Sequence, residues 1–189
     1  MELGMIGLGR MGGNMARRLL EGGHRLVVYD PVPEAVHALV KQGAIGASSI
    51  AELASKLNTP CAVWLMVPAG EATDKAITEV AEYLSPGDVI VDGGNSYYKD
   101  SMRRAASLGE KKIFFFHVGT SGGIWGLKDG YCLMVGGEVE AFRRLEPIFQ
   151  SLAPSSDKGY GHVGPAGACL LYTSPSPRDL STSRMPSSA

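Results

Sequence analysis

Cysteine is scarce in this 189-residue chain: Cys61, Cys132 and Cys169 are odd in number and widely spaced, which suggests neither a disulfide framework nor a zinc site. Neither sign of charge is in excess. Eighteen Lys and Arg face 19 Asp and Glu, a net charge of −1, so there is no electrostatic footprint for nucleic acid or an anionic membrane. No apolar run is long enough to span a bilayer, and no basic stretch precedes one near Met1, so neither export nor membrane insertion is expected. These absences favour a reduced, cytoplasmic setting and a small-molecule partner. What the chain does have is 44% hydrophobic residues, enough to bury the core of one ordinary domain, and 25 glycines.

Short runs rich in Val and Ile alternate with segments of helical period, the pattern of a parallel sheet covered by helices on both faces. Strands are expected near Leu3–Ile6, Arg25–Tyr29, Ala44–Ala47, Cys61–Val67, Val89–Asp92, Ile113–His117 and Cys132–Val135. Met11, Met15 and Leu19 lie four apart, and Val36, Leu39 and Val40 repeat the stripe, so each of these helices has one face for a sheet. Ser49 and Glu52 read as a capping box. A last helix is expected from Glu138 to Leu152, bent or restarted at Pro147. Beyond Ala168 the composition changes: residues 170–189 hold eleven Ser, Thr or Pro, and this tail is expected to be disordered and foreign to the domain.

The stretch GLGRMG carries Gly7, Gly9 and Gly12 between a strand and a helix, and Asp30 ends the next strand. Each position has its own physical reason: Gly7 for the tight turn, Gly9 for close approach of a pyrophosphate, Gly12 for close packing of helix on strand. The helix N-terminus offers unpaired amides and partial positive charge to phosphates. The fold class expected is therefore α/β, a Rossmann-type, doubly wound, mostly parallel sheet over residues 1–168. The cofactor-facing set is Gly7, Leu8, Gly9, Arg10, Met11 and Gly12, with Asp30. Asp30 can accept hydrogen bonds from a free ribose but repels a 2′-phosphate, and Pro31–Glu34 supply no arginine, so NAD is expected in preference to NADP, which stays possible.

Three further stretches, LMVPAG at 65–70, DGGNS at 92–96 and VGTSGGIWGL at 118–127, join the glycine loop in an ordered combination. YCLMVGG at 131–137 and GPAGA at 164–168 continue it. Together they resemble the decarboxylating 6-phosphogluconate dehydrogenases, within the wider β-hydroxyacid dehydrogenase superfamily. The resemblance implies that Val67, Pro68 and Ala69 lie against the cofactor, that Asn95 touches cofactor and substrate, and that Ser121, Gly122 and Gly123 hold the sugar acid. An amide at the end of a strand, and a hydroxyl beside glycine amides, are suited to those contacts. It further implies 6-phosphogluconate as substrate, oxidised at C3 and decarboxylated to ribulose 5-phosphate and CO2 without a metal, in a homo-oligomeric enzyme.

The family's lysine base and glutamate acid are expected on the helix that starts at GPAGA, in a pattern near GHFVKMVHNGIEYG. Here the chain continues instead as Cys169-Leu170-Leu171-Tyr172, so no catalytic residue is carried over and the family's helical C-terminal domain is expected to be absent. The chain is expected to bind cofactor, to turn over little, and to self-associate through uncovered apolar surface. Two other readings stand beside this one: a relative such as a 3-hydroxyisobutyrate dehydrogenase, and a non-catalytic dinucleotide-binding module. His117 is expected to be structural, His24 and His37 solvated surface residues, and the two tryptophans, Trp64 and Trp125, packing residues.

Overall fold

The computed structural model describes residues 1–168, so the expectation for residues 169–189 lies outside the described residues. The elements are β1 (Glu2–Ile6), α1 (Arg10–Glu21), β2 (Arg25–Tyr29), α2 (Pro33–Val40), β3 (Ile45–Gly46), α3 (Ile50–Ser55), β4 (Ala62–Leu65) and α4 (Glu71–Val80). They continue as β5 (Val89–Asp92), α5 (Tyr98–Glu110), β6 (Phe114–Ser121), α6 (Gly126–Asp129), β7 (Cys132–Gly136), α7 (Val139–Leu152) and β8 (Tyr160–Gly164). One eight-stranded sheet runs in the order β3-β2-β1-β4-β5-β6-β7-β8. All pairings are parallel except β6 with β7. The chain order reverses between β1 and β4, and ligands of open α/β sheets sit beyond the carboxyl ends of strands at such a point.

The period of two along each strand divides the side chains between two cores. Leu3, Met5, Leu26, Val28, Trp64, Val91 and Phe116 face α1, α2 and α7, whereas Ile6, Val27, Val63, Leu65, Ile90 and Phe115 face α3, α4 and α5. Trp64 is fully buried and meets Phe149 edge-on at 6.0 Å between ring centroids. Removing a buried side chain of this kind costs about 3–5 kcal/mol, because the site collapses only in part.

Several expectations need correction. β3 is only Ile45–Gly46, and β4 stops at Leu65, since Met66 and Val67 turn out of the sheet toward the switch point. β6 runs on to Ser121, because β7 turns back antiparallel and pairs Thr120 with Leu133 and Ser121 with Cys132. β8 was not expected: YGHVG has no apolar run, and it forms a half-exposed edge strand beside β7. Pro147 does not restart α7, which runs unbroken from Val139 to Leu152; it lies on the exposed face, where the carbonyl it leaves unbonded can turn to water, while Leu145, Ile148 and Phe149 hold the buried face. Ser49 does cap α3 by accepting from the Glu52 amide, but Glu52 reaches back one residue further than a capping box requires, to the Ser48 amide and hydroxyl. His24 is buried, not solvated, with its Nε2 2.7 Å from the Ser151 hydroxyl.

Candidate functional site: a dinucleotide cleft and an adjoining cavity

The glycine loop is shaped by steric demands that only glycine meets. Gly7 has φ +89°, and a Cβ there would stand 2.5 Å from the Met66 carbonyl oxygen. A Cβ on Gly12 would collide with the Gly7 carbonyl oxygen, so α1 packs directly on the end of β1. Gly9 is different: nothing lies within 4 Å of a Cβ built there, which leaves an open approach to the start of α1. No side chain caps α1 and no acidic residue occupies its first turn, so its N-terminal amides are left for a ligand.

Asp30 is tied into this loop from the end of β2. The Leu8 amide donates to Oδ2 at 2.6 Å and the Val32 amide donates to Oδ1 at 2.8 Å. These two bonds fix the carboxylate beside the glycines and leave lone pairs on both oxygens for hydroxyl donors. On its far side a hollow of about 440 Å³ lies between α2 and α3, bordered by His37, Ser48 and Glu52. Hydrogen bonds from Lys56 and Ser48 bring the Glu52 carboxyl down to about 2, so it is charged at neutral pH.

Between the glycine loop and α4 lies a cleft of about 780 Å³. Of the cofactor set, Gly7, Gly9, Met11, Asp30, Val67, Pro68 and Asn95 line it. Leu8, Arg10, Gly12 and Ala69 do not: Leu8 is buried in the core and offers its amide to Asp30, Gly12 is buried where α1 packs on the Gly7 backbone, Arg10 is exposed and Ala69 is half-buried. Lys75 and Glu79 of α4 line the cleft as well, and nothing in the sequence pattern marked them.

A second cavity of about 260 Å³ adjoins the cleft and shares Met11, Gly93, Gly94 and Asn95 with it. Its remaining walls are Gly119, Thr120, Ser121 and Met134. Of the expected substrate set, Asn95 and Ser121 line this cavity, whereas Gly122 and Gly123 lie just past it in exposed positions with φ +141° and +52°. The buried Thr120 hydroxyl has no hydrogen-bond partner among the described residues. Trp125 is 71% exposed at the tip of this loop, so it is not a packing residue, whereas Trp64 is one. Gly93 stands where a Cβ would strike the Trp64 indole and the Met66 sulfur.

Behind the Gly93–Asn95 turn lies a buried ionic cluster. Arg104 of α5 donates from Nη1 to Asp92 at 3.1 Å, from Nε to Asp74 at 2.8 Å and from Nη2 to the Gly70 carbonyl at 3.3 Å. Asp92 in turn accepts from the Gly94 amide at 3.0 Å. Burial raises the Asp92 carboxyl, against the pull of the Gly94 amide and Arg104. Burial would also raise Asp74, but hydrogen bonds from Arg104 and Arg103 hold it below its ordinary value. His117 stands beside Asp92 in the sheet, and burial together with the Arg104 charge pushes it down to about 4, so it is neutral at pH 7. The signal that marks this cluster in the sequence is an arginine on the buried stripe of α5, at 104 between Ser101 and Leu108. Cys61 is no nucleophile: burial, with Asp88 beside it, raises its thiol to about 12.

Among the described residues no group of three or more His, Cys, Asp or Glu is placed to hold a metal ion, and no helix is long and apolar enough to cross a membrane. Among similar proteins, the NAD(+)-dependent, decarboxylating 6-phosphogluconate dehydrogenase of Haloferax volcanii is 43% identical over 168 residues, covering 89% of this chain and 55% of the relative. The decarboxylating enzyme of Chlamydia pneumoniae is 40% identical over 157 residues, covering 80% and 33%. The chain thus spans about half or less of the length of these relatives.

Among solved structures, Plasmodium falciparum 6-phosphogluconate dehydrogenase superposes with a TM-score of 0.83 at 28% identity, over 90% of this chain and 38% of that one. A 3-hydroxyisobutyrate dehydrogenase of Mycobacterium tuberculosis gives 0.81 at 26% identity, over 90% and 56%. The profile of the family described as the NAD binding domain of 6-phosphogluconate dehydrogenase matches residues 2–164. With the motif order, the switch-point cleft and this match in agreement, the chain belongs to that family of NAD binding domains.

Proposed function

We propose that this chain is the coenzyme-binding part of an oxidoreductase that converts 6-phosphogluconate to ribulose 5-phosphate and CO2, and that it binds NAD in preference to NADP. The observation that carries the reading is the junction of the two cavities at Asn95: a cleft of about 780 Å³ beside the glycine loop adjoins a small chamber lined by Thr120 and Ser121. The α1 amides receive the pyrophosphate beside Gly9, and Asp30 accepts from the adenosine ribose. Met11 and the Gly93–Asn95 turn border the nicotinamide end. The nicotinamide, when bound, supplies the hydride acceptor. Asn95 orients it against the substrate, and Ser121 with the Gly122 and Gly123 amides holds the sugar acid. Cofactor binding is the activity expected of the described residues.

The preference for NAD rests on charge. A 2′-phosphate beside Asp30 meets that carboxylate, and the ionised Glu52 borders the hollow beyond it. The preference matches the NAD(+)-dependent relative from Haloferax volcanii. Titration of the full chain with NADH and NADPH, followed by nicotinamide fluorescence, is expected to give a Kd at least about tenfold lower for NADH, a difference of about 1.4 kcal/mol. Equal or tighter NADPH binding overturns it.

The structural likeness to a 3-hydroxyisobutyrate dehydrogenase keeps one other substrate in view. The two separate by competition at the small cavity: 6-phosphogluconate, not 3-hydroxyisobutyrate, is expected to perturb the fluorescence of bound NADH.

A further inference from the structure

The two turns that wall the cleft on the α4 and β5 side come from different elements, yet they touch: a Cβ on Gly94 would lie 2.9 Å from the Val67 carbonyl oxygen. One turn runs from Val67 to Gly70 and enters α4 at Gly70, with φ +93°. The other runs from Gly93 to Asn95, and Asp92 anchors it through the Gly94 amide. Arg104 reaches both. Its Nη2 holds the Gly70 carbonyl, its Nε holds Asp74 in the first turn of α4, and its Nη1 holds Asp92. The side chains of Arg104 and Asp92 are 2% and 0% exposed, so water does not compete for the bond between them, whereas Asp74 is 39% exposed. Arg104 is absent from the walls of both the cleft and the small cavity.

We propose that Arg104 is a positioning residue for the dinucleotide, a buried fork that sets the spacing between the Val67–Gly70 turn and the Gly93–Asn95 turn and thereby fixes Asn95 where cleft and cavity meet. The inference rests on the reading of the cleft as an NAD site. Stability alone does not call for such a group: a buried ion pair is generally no more stabilising than apolar residues that fill the same volume. What the guanidinium supplies is direction, since its donors lie in one rigid plane and reach three acceptors on two segments at once, Gly70 and Asp74 at the start of α4 and Asp92 at the end of β5. A lysine ammonium carries the same charge on a flexible stem without that geometry.

The test separates geometry from stability, using the full chain, NADH as probe and thermal unfolding alongside. Arg104→Met leaves Asp92 buried and unpaired, and is expected to lower Tm and to weaken NADH binding at least tenfold. Arg104→Met combined with Asp92→Asn removes the unpaired charge; Tm is expected to recover most of the loss while the Kd stays at least tenfold above the wild type. Arg104→Lys is expected to bind NADH several-fold more weakly, and it decides the question if the methionine variants do not fold. Recovery of the Kd together with Tm in the double variant, or an Arg104→Lys Kd within twofold of the wild type, overturns the inference alone. Failure of the wild-type chain to bind NADH overturns the functional reading and this inference with it.

Discussion

The two glycine loops at the carboxyl end of the sheet are held in opposite ways. In the first, between β1 and α1, Gly7 and Gly12 are required by the protein's own atoms, since any side chain would run into backbone, and only Gly9 faces open space. In the second, after β6, a Cβ on Gly122 would press on the Tyr131 ring at 3.0 Å, but nothing lies within 4 Å of a Cβ on Gly123, and Ser121 to Trp125 are exposed. One loop is a tightly packed joint of the fold with a single opening. The other is shaped by backbone conformation and left open for contacts from outside. A glycine motif therefore carries two kinds of information, and only packing separates them.

Substitutions can break that contrast. Gly12→Ala forces α1 away from β1, and a loss of about 3 kcal/mol is expected, together with loss of NADH binding. Urea unfolding and NADH titration check it; a variant of wild-type stability shows that the joint is not packed as described.

A change of pH tests the seam between the two regions, because His117 pairs with Asp92 of the parallel β5 and with Gly136 of the antiparallel β7. Its imidazole titrates near 6.5 in the unfolded chain and near 4 in the folded one. Between those values the unfolded state binds more protons, so this contribution to stability falls as pH drops from about 6.5 to about 4, by on the order of 3 kcal/mol. Urea denaturation across that range, with His117→Gln as the reference lacking the titration, is expected to show a steeper loss of stability toward acid in the wild type than in the variant, since Asp92 titrates in both.

Gly9→Ala sharpens the contrast within the first loop. With open space around it and φ −59°, the added methyl is expected to leave Tm within a degree or two of the wild type. NADH affinity should nonetheless fall by about tenfold, roughly 1.4 kcal/mol, because the methyl occupies the approach to the pyrophosphate. Loss of stability without loss of affinity contradicts this.

Asp30→Asn removes the charge and keeps only one of the two oxygens that accept from the Leu8 and Val32 amides, and is expected to narrow the ratio of NADPH to NADH dissociation constants by several-fold. The smallest effect is expected for Gly123→Ala. A side chain at φ +52° costs about 1 kcal/mol in strain while NADH binding stays unchanged. A change in NADH affinity there would mean that the second loop contacts the cofactor.

Much of the parallel half is legible in the sequence, because local rules and tertiary packing agree there. Val89–Asp92 and Arg25–Tyr29 are strands whose alternating residues find two faces, and Gly7, Gly12 and Asp30 come together as their spacing predicts. The second half is less legible. Thr120 and Ser121 read as loop residues, yet they are strand because β7 returns antiparallel beside them, and β8 carries no apolar signature because its neighbour supplies the pairing. Arg104 and His117 were not marked as parts of the site, because their surroundings come from segments far apart in the chain.

The sequence by itself determined the order of the strands from β1 to β7, the glycine loop with its acidic partner and the family, since each depends on local spacing and on residue types with few conformational alternatives. Only the tertiary structure decided which of those residues face the cleft, that Asn95 stands where cleft and cavity meet, and that a buried arginine joins the two turns beside it. Those facts depend on distances between segments about 20 to 30 residues apart, which burial and the sheet register set and which no local pattern encodes.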